Sequence, residues 1–253
     1  MHGQGEHKAR PTRYHVMNAG GLTLLLPDKR DVERDALADV WERLEGSVMR
    51  LGRFWDPPAL DPSSVRVYGN EAFCLVLQQT LGLELCSPSD DLIFAVPPRH
   101  LLRAVWRRTL GDMADLKYPA FCKPTVPKLF PARVYADGAE LAAECLGLDR
   151  QTVILVSEPV PFVAEARCFV LDGAVLDCAI YEGEARVAAA AAAVADLLQD
   201  VPVPRAIVVD MGLIPERGWA LVEFNAVWGA GLNGCSAELV WPCVAAASGG
   251  RPC

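Results

Sequence analysis

Asp210, Glu223 and Asn225 are three oxygen-bearing side chains within one segment, Ile207-Val-Val-Asp210-Met-Gly-Leu-Ile-Pro215-Glu216-Arg217-Gly218-Trp-Ala-Leu-Val-Glu223-Phe-Asn225, that reads as a hairpin. Two runs rich in Val, Ile, Leu and aromatics flank Pro215-Glu216-Arg217-Gly218, where Pro and Gly suit a tight reversal. A turn centred on Glu216-Arg217 puts Asp210 opposite Glu223. Strand side chains alternate, so Asn225 shares the face of Glu223, and opposed residues on one face have Cβ atoms about 4.5–5.5 Å apart. Two carboxylates and an amide oxygen then converge, and their mutual repulsion calls for a cation. Magnesium suits this donor set, because it prefers hard oxygens and is usually held by one or two carboxylates together with substrate phosphates. The alternative is a surface hairpin with scattered acids.

Lysine usage is the second signal. The chain carries 19 Arg and only five Lys, yet two of the five fall in Phe121-Cys-Lys123-Pro-Thr-Val-Pro-Lys128-Leu-Phe130. A compact ammonium is what such a segment offers that a guanidinium does not. Lys123 at a strand end and Lys128 in the next loop can reach one polyphosphate, with Arg167 completing a cationic clamp. For Arg167 the alternative is a salt bridge to Glu165, two residues away on the same strand face.

Other familiar patterns fail on context. Gly229-Ala-Gly231-Leu-Asn-Gly234 matches G-x-G-x-x-G, but a dinucleotide site needs a following strand with an acidic residue about 20 positions on, and only 19 residues remain. The loop could still present backbone N–H groups to an anion, or be a plain strand-to-helix turn. No G-x-x-x-x-G-K-[ST] occurs. The nine cysteines are odd in number, contain no C-x-x-C and mostly sit in apolar runs, which predicts reduced core thiols. The four histidines, His2, His7, His15 and His100, show no ligand spacing.

These residues need elements to hold them. A polar leader, residues 1–20, precedes a strand at 22–26, an amphipathic helix at 32–44, a strand at 65–68, a helix at 70–81 and a strand at 83–86. That alternation predicts a parallel α/β unit of three or four strands over residues 21–112, closed by a helix at 99–110 that Pro97-Pro98 would start. Residues 113–253 change to strand pairs, at 120–123, 133–135, 153–157, 166–171, 174–180, 207–210 and 220–225, an antiparallel α+β pattern. Asp172-Gly173 suits a two-residue hairpin turn. The alanine run at 187–198 predicts a helix lying on a sheet.

At 253 residues and 52% hydrophobic content the chain can bury a large core in one or two domains. A net charge of −8 argues against a general nucleic-acid or anionic-membrane surface. The leader lacks an apolar core and no run approaches the roughly 20 apolar residues of a membrane span, so a cytoplasmic protein is expected.

In order along the chain, Phe121-Cys-Lys123-Pro, Val156-Ser-Glu158-Pro-Val, Glu165-Ala-Arg167, Val209-Asp210-Met-Gly and Val222-Glu223-Phe-Asn225 resemble the ATP-grasp superfamily, in particular a compact clade characterised by one arginine and two lysines. The resemblance covers roughly residues 65–253. It implies a Rossmann-like pre-ATP-grasp domain followed by a compact two-lobed ATP-grasp domain that holds ATP between its lobes. It also implies that Lys123 contacts the α/β-phosphates and the adenine edge, and that Ser157, Glu158, Pro159 and Val160 form a hinge whose backbone recognises adenine. Asp210, Glu223 and Asn225 would hold Mg²⁺, and Arg167 would steady the transferred phosphoryl group with Lys128 nearby. The loop Pro-Thr-Val-Pro between the two lysines lacks the glycines of many relatives.

The activity this implies is an ATP-dependent carboxylate–amine or carboxylate–thiol ligase working through an acyl phosphate and releasing ADP and phosphate. A phosphotransferase and a non-catalytic nucleotide-binding module are the alternatives. The substrate would be a small molecule, an amino acid or a peptide, and candidate contacts to it are Tyr68-Gly69-Asn70-Glu71, Arg99, Arg133 and residues 228–234. The sequence leaves the oligomeric state open.

Overall fold

The computed structural model describes residues 18–249. The expected leader up to residue 17, with His2, His7 and His15, lies outside the described residues, as does Cys253. The first unit is β1 (Thr23–Pro27), α1 (Val32–Arg43), β2 (Ser47–Leu51), β3 (Val65–Val67) and α2 (Glu71–Leu81). Its three strands are parallel in the order β2-β1-β3, with Leu24 beside both Val48 and Arg66. Asp31 caps α1 through Arg34 N, and Asn70 caps α2 through Phe73 N, each satisfying an amide that lacks an intrahelical partner.

Two sheets follow. After α3 (Pro98–Leu101) come β4 (Val105–Thr109), β5 (Ala120–Pro124), β6 (Arg133–Tyr135), α4 (Gly138–Glu144) and β7 (Val153–Ser157). These strands make an antiparallel sheet in the order β4-β7-β5-β6. Then β8 (Ala164–Leu171), β9 (Ala174–Gly183), α5 (Val187–Asp200), β10 (Ala206–Ile214) and β11 (Gly218–Asn225) give a second antiparallel sheet, β11-β10-β8-β9, before α6 (Ala237–Ala246).

Alternation along β8 and β10 divides the core. Cys168, Val170, Ile207 and Val209 face one way and pack against Val194 and Leu197 of α5. Phe169, Leu171, Ala206 and Val208 face the other way, into a core shared with Val240, Trp241 and Val244 of α6 and with the parallel sheet. Trp41 of α1 meets Trp241 edge-on, ring centroids 6.1 Å apart. A third core sets Leu141 of α4 against Cys122, Tyr135, Ile154 and Val156.

Three expectations are corrected. The helix expected at 99–110 is a single turn: Leu102 takes a left-handed φ of 50°, and Val105–Thr109 instead pair residue for residue with Ser157–Val153 of β7. Val105, Trp106 and Thr109 are strand-favouring types, and the edge of β7 gives them a partner. The strand expected at 83–86 is one isolated bridge, Leu85 to Ser248, and the third parallel strand is β2, whose half-exposed edge position blurs its alternation. The expectation that all cysteines are reduced fails at Cys168 and Cys178, which stand opposite each other on β8 and β9 with Cα atoms 4.1 Å apart and are disulfide-bonded. Asp172 and Gly173 both take positive φ in the β8–β9 turn, as a two-residue hairpin requires, and α5 buries Ala190, Val194 and Leu197 at helical spacing.

Candidate active site

Asp210 is paired with Glu223, though the turn that joins their strands differs from the one read in the sequence. Ile214 faces Gly218, so the loop is the three residues Pro215-Glu216-Arg217, with φ of 62° at Glu216 and 106° at Gly218. This moves the register by one, and a β-bulge moves it back: Met211 faces Leu221 while Asp210 faces Glu223, leaving Val222 as the extra residue. Bulges of this kind re-aim side chains beside functional sites.

The three oxygen-bearing side chains do meet. Asn225 Nδ2 donates to Asp210 Oδ2 and to Glu223 Oε1, each at 2.9 Å. Asp210 accepts a bidentate pair from Arg167, Nε to Oδ1 at 2.8 Å and Nη2 to Oδ2 at 2.7 Å, and Arg167 Nη1 reaches Gly231 O at 3.0 Å. That resolves the alternative for Arg167 in favour of a partner across the sheet, Asp210, rather than Glu165, whose carboxylate accepts from the Tyr181 hydroxyl. At the other end Lys123 Nζ donates to Glu223 Oε2, joining β5 of the first sheet to β11 of the second.

Burial and charge set the balance of this network. Asp210 is 1% exposed, and burial pushes its carboxyl up against the pull of Arg167 and Asn225. Burial also opposes the charge on Arg167, but the Asp210 carboxylate more than compensates and its pKa rises. Burial would raise Glu223 too; Lys123, Asn225 and Arg167 outweigh it and hold the carboxyl below the usual range.

Between the two sheets lies a cavity of about 240 Å³. Phe121, Leu155, Val160, Phe162 and Phe224 give it apolar walls, and the bonded cluster of Lys123, Glu223 and Asn225 lines it together with the charged Asp90, Arg103 and Glu158. Ser157, Glu158, Pro159 and Val160, the expected hinge, line it as well. Glu158 is tied back: its N–H donates to Ala104 O at 3.0 Å and its carboxylate takes Arg217 at 3.0 Å, which holds that carboxyl below its ordinary value. Arg167 and Asp210 are not part of the lining; they stand behind Asn225.

Lys128 is not brought to the cluster. Its Nζ pairs with Glu71 Oε2 at 2.8 Å, on a side chain 79% exposed. An exposed pair of this kind contributes about 0–1 kcal/mol. Lys128→Ala is therefore expected to lower stability by no more than about 1 kcal/mol in chemical denaturation; a loss several times larger would contradict the exposed-pair reading. Arg99 pairs with Asp200, and Arg133 with Glu140 and Glu144, so neither faces the cavity as a free cation. Tyr68 and the 228–234 loop do adjoin, through Tyr68 Oη to Ala230 O at 2.7 Å. The anion that the loop's backbone receives is the chain's own Glu33, bonded to Leu232 N at 2.8 Å and Asn233 N at 2.7 Å.

The sequence reading missed Arg103 and Phe162, which line the same cavity. Arg103 fell inside the expected helix, and nothing in its spacing marks it. Burial pushes the thiols of Cys74, Cys235 and Cys243 up to about 12, so they offer no thiolate nucleophile near neutral pH. Among the described residues no group of three or more His, Cys, Asp and Glu could hold a metal unaided, and no helix is long and apolar enough to cross a membrane.

Two antiparallel sheets closing on a cavity with a lysine on one and an acidic pair with an asparagine on the other define an ATP-grasp architecture. Residues 100–242 match an ATP-grasp domain family, the second family of the clade named for its one arginine and two lysines, and the chain belongs to it. Solved structures share the fold. A RimK domain ATP-grasp protein from Sphaerobacter thermophilus DSM 20745 superposes with a TM-score of 0.61 at 15% identity, covering 88% of this chain and 99% of that one. The D-alanine–D-alanine ligase from Bacillus anthracis gives 0.52 at 11% identity, with 89% and 96% covered. The macrocyclase MdnC from Microcystis aeruginosa MRC, bound with precursor peptide MdnA, gives 0.54 at 10% identity, with 89% and 100% covered. No curated protein matches the sequence.

Proposed function

We propose that this chain is an ATP-dependent ligase that joins a carboxylate to an amine or thiol through an acyl phosphate and releases ADP and phosphate. The observation that carries this reading is the contact of Lys123 with Glu223 across the cleft, continued through Asn225 and Asp210 to Arg167. Lys123, Glu223 and Asn225 line the cavity beside its apolar walls with Asp210 and Arg167 behind them, which suits a base against the apolar walls and phosphates along the charges. The D-alanine–D-alanine ligase and the peptide-bound macrocyclase among the structures of like fold show that it hosts ligation of small molecules and action on peptides. The substrate class here is a small molecule, an amino acid or a peptide.

The donor set fits magnesium. One oxygen of Asp210 and one of Glu223 face the same point, where Asn225 now places the positive end of its amide, and that amide can turn its oxygen to the same place. Asp210, Glu223 and Asn225 would hold the ion, with nucleotide phosphates completing the shell. An ion held by these residues would supply charge neutralisation for the nucleotide phosphates. Lys123 would release Glu223 to take phosphate oxygens. Arg167, through its two bonds to Asp210, would aim that carboxylate and put positive charge beside the transferred group. Lys128 would have to leave Glu71 to join them. Ser157, Glu158, Pro159 and Val160 would present backbone to adenine.

A carboxylate is a poor acyl donor because its leaving group would be oxide. In the proposed reaction a substrate carboxylate oxygen bonds to the γ-phosphorus as its bond to the ADP oxygen breaks. The amine or thiol then attacks the acyl carbon and phosphate leaves with the electron pair. Positioning and charge neutralisation suffice, and no protein nucleophile is required.

The test is ADP formation from Mg-ATP, with and without a pool of amino acids and short peptides, using Lys123→Ala as the blank. ADP that depends on the pool and disappears in the variant is the expected result. ADP without a new amide or thioester, accompanied by a phosphorylated hydroxyl, would make the chain a phosphotransferase. Binding of ATP without turnover would make it a binding module, and AMP with pyrophosphate would overturn the chemistry.

A further inference from the structure

Arg103 is a second cation lining the cavity, and the reaction outlined above does not use it. Its side chain spans three elements. Nε donates to Ser157 Oγ at 3.1 Å, Nη1 to Leu221 O at 2.7 Å and to Leu101 O at 3.1 Å. Ser157 ends β7 in the first sheet and Leu221 lies on β11 in the second, so one guanidinium joins the two walls of the cleft at the hinge. Its Cζ also stands 5.4 Å from the Phe162 ring centroid. Phe162 is itself seated on the backbone of Gly212 in β10, where an added Cβ would come within 2.3 Å of the ring.

The chemistry of this residue is unusual for a buried cation. No carboxylate lies within ion-pair distance of Arg103 among the described residues, and Glu158 is taken by Arg217. Burial lowers its pKa to about 10, with Glu158 opposing that shift. A protein that only needed these walls held together could use apolar packing there. A planar fork of donors instead ties the Ser157 hydroxyl, a strand carbonyl and an aromatic ring into one fixed edge of the cavity.

We propose that Arg103 is the positioning residue of the base-binding end of the cleft, fixing Ser157 and Phe162 so that the slot for a nucleobase is formed before the nucleotide arrives. This rests on the nucleotide-binding reading above. The phosphate end is organised separately, by Lys123, Glu223, Asn225, Asp210 and Arg167, and Arg103 bonds to none of them. Arg103 therefore governs affinity for the base and not for the phosphates.

Calorimetric titration of the full chain with Mg-ATP and with Mg-tripolyphosphate tests this. Wild type is expected to bind ATP more tightly than tripolyphosphate. Arg103→Met and Arg103→Lys are each expected to weaken ATP binding about ten- to hundredfold, while tripolyphosphate binding changes less than about twofold. Lysine keeps the charge but has one nitrogen and no plane, so it does not restore the preference. Equal weakening of both ligands, or an unchanged preference for ATP, would overturn the proposal and leave the nucleotide reading standing. A wild type that binds neither ligand overturns the nucleotide reading itself. If the Arg103 variants fail to fold, Ser157→Ala decides: a several-fold loss of ATP affinity with tripolyphosphate spared is expected, and unchanged ATP affinity would overturn the proposal.

Discussion

Glu223→Gln is expected to cut ADP formation at least about a thousandfold, equivalent to roughly 4 kcal/mol of transition-state stabilisation, while leaving the fold intact. Glu223 is the residue on which the network turns, because Lys123 and Asn225 both bond to it. Its carboxyl is held below the usual range, so near neutral pH it is a full negative charge available to a metal. Glutamine keeps the shape but removes that charge, and its single amide oxygen can replace only one of the two carboxylate oxygens that accept from Lys123 and Asn225. The thermal midpoint should therefore stay within about 5 °C of wild type, a shift of order 1–2 kcal/mol for a chain of this size. ADP formation measured on the substrate pool checks the activity, and a thermal melt checks the fold. Wild-type turnover in a folded Glu223→Gln protein would remove Glu223 from the proposed metal site.

For Asp210→Ala the largest effect is on stability, a loss of about 3–5 kcal/mol in urea denaturation. Arg167 makes two of its three hydrogen bonds to Asp210, and its side chain is 12% exposed against 2% for Asp210. Removing the carboxylate strands a guanidinium that burial already opposes. Asn225 loses one of its two acceptors at the same time. Adding Arg167→Met removes the stranded charge, so the double variant should recover more than about 1.5 kcal/mol relative to the sum of the two single losses. Additive losses, or an Asp210→Ala protein within about 1 kcal/mol of wild type, would mean that the pair carries little of the fold.

The same residues show where sequence reading succeeds. The facing of Asp210, Glu223 and Asn225 follows from a period of two and a nearby turn, both local properties. The reading found the pairing although it misjudged the loop, because the one-residue error at Pro215-Glu216-Arg217 is cancelled by the bulge at Val222. Asp172-Gly173 and the buried stripe of α5 were legible for the same local reason.

What failed was non-local. Val105, Trp106 and Thr109 favour a strand, but the segment becomes one only where β7 offers an edge much later in the chain. Lys128 reads like Lys123 in the sequence, but Glu71 of the first unit claims it. Cys168 and Cys178 are two apolar-run cysteines until β8 and β9 pair and set them opposite each other.

The sequence by itself determined the class of strands, the polar face of the β10–β11 hairpin and the ordered succession of residues that marks an ATP-grasp chain. Only the tertiary structure decided that Arg167 bonds to Asp210, that Lys123 crosses to Glu223 and that Arg103 joins the two walls of the cleft. The division has a physical cause. Backbone alternation and turn geometry depend on neighbours in the chain, whereas the partner of a long charged side chain depends on which distant strand lies within its reach.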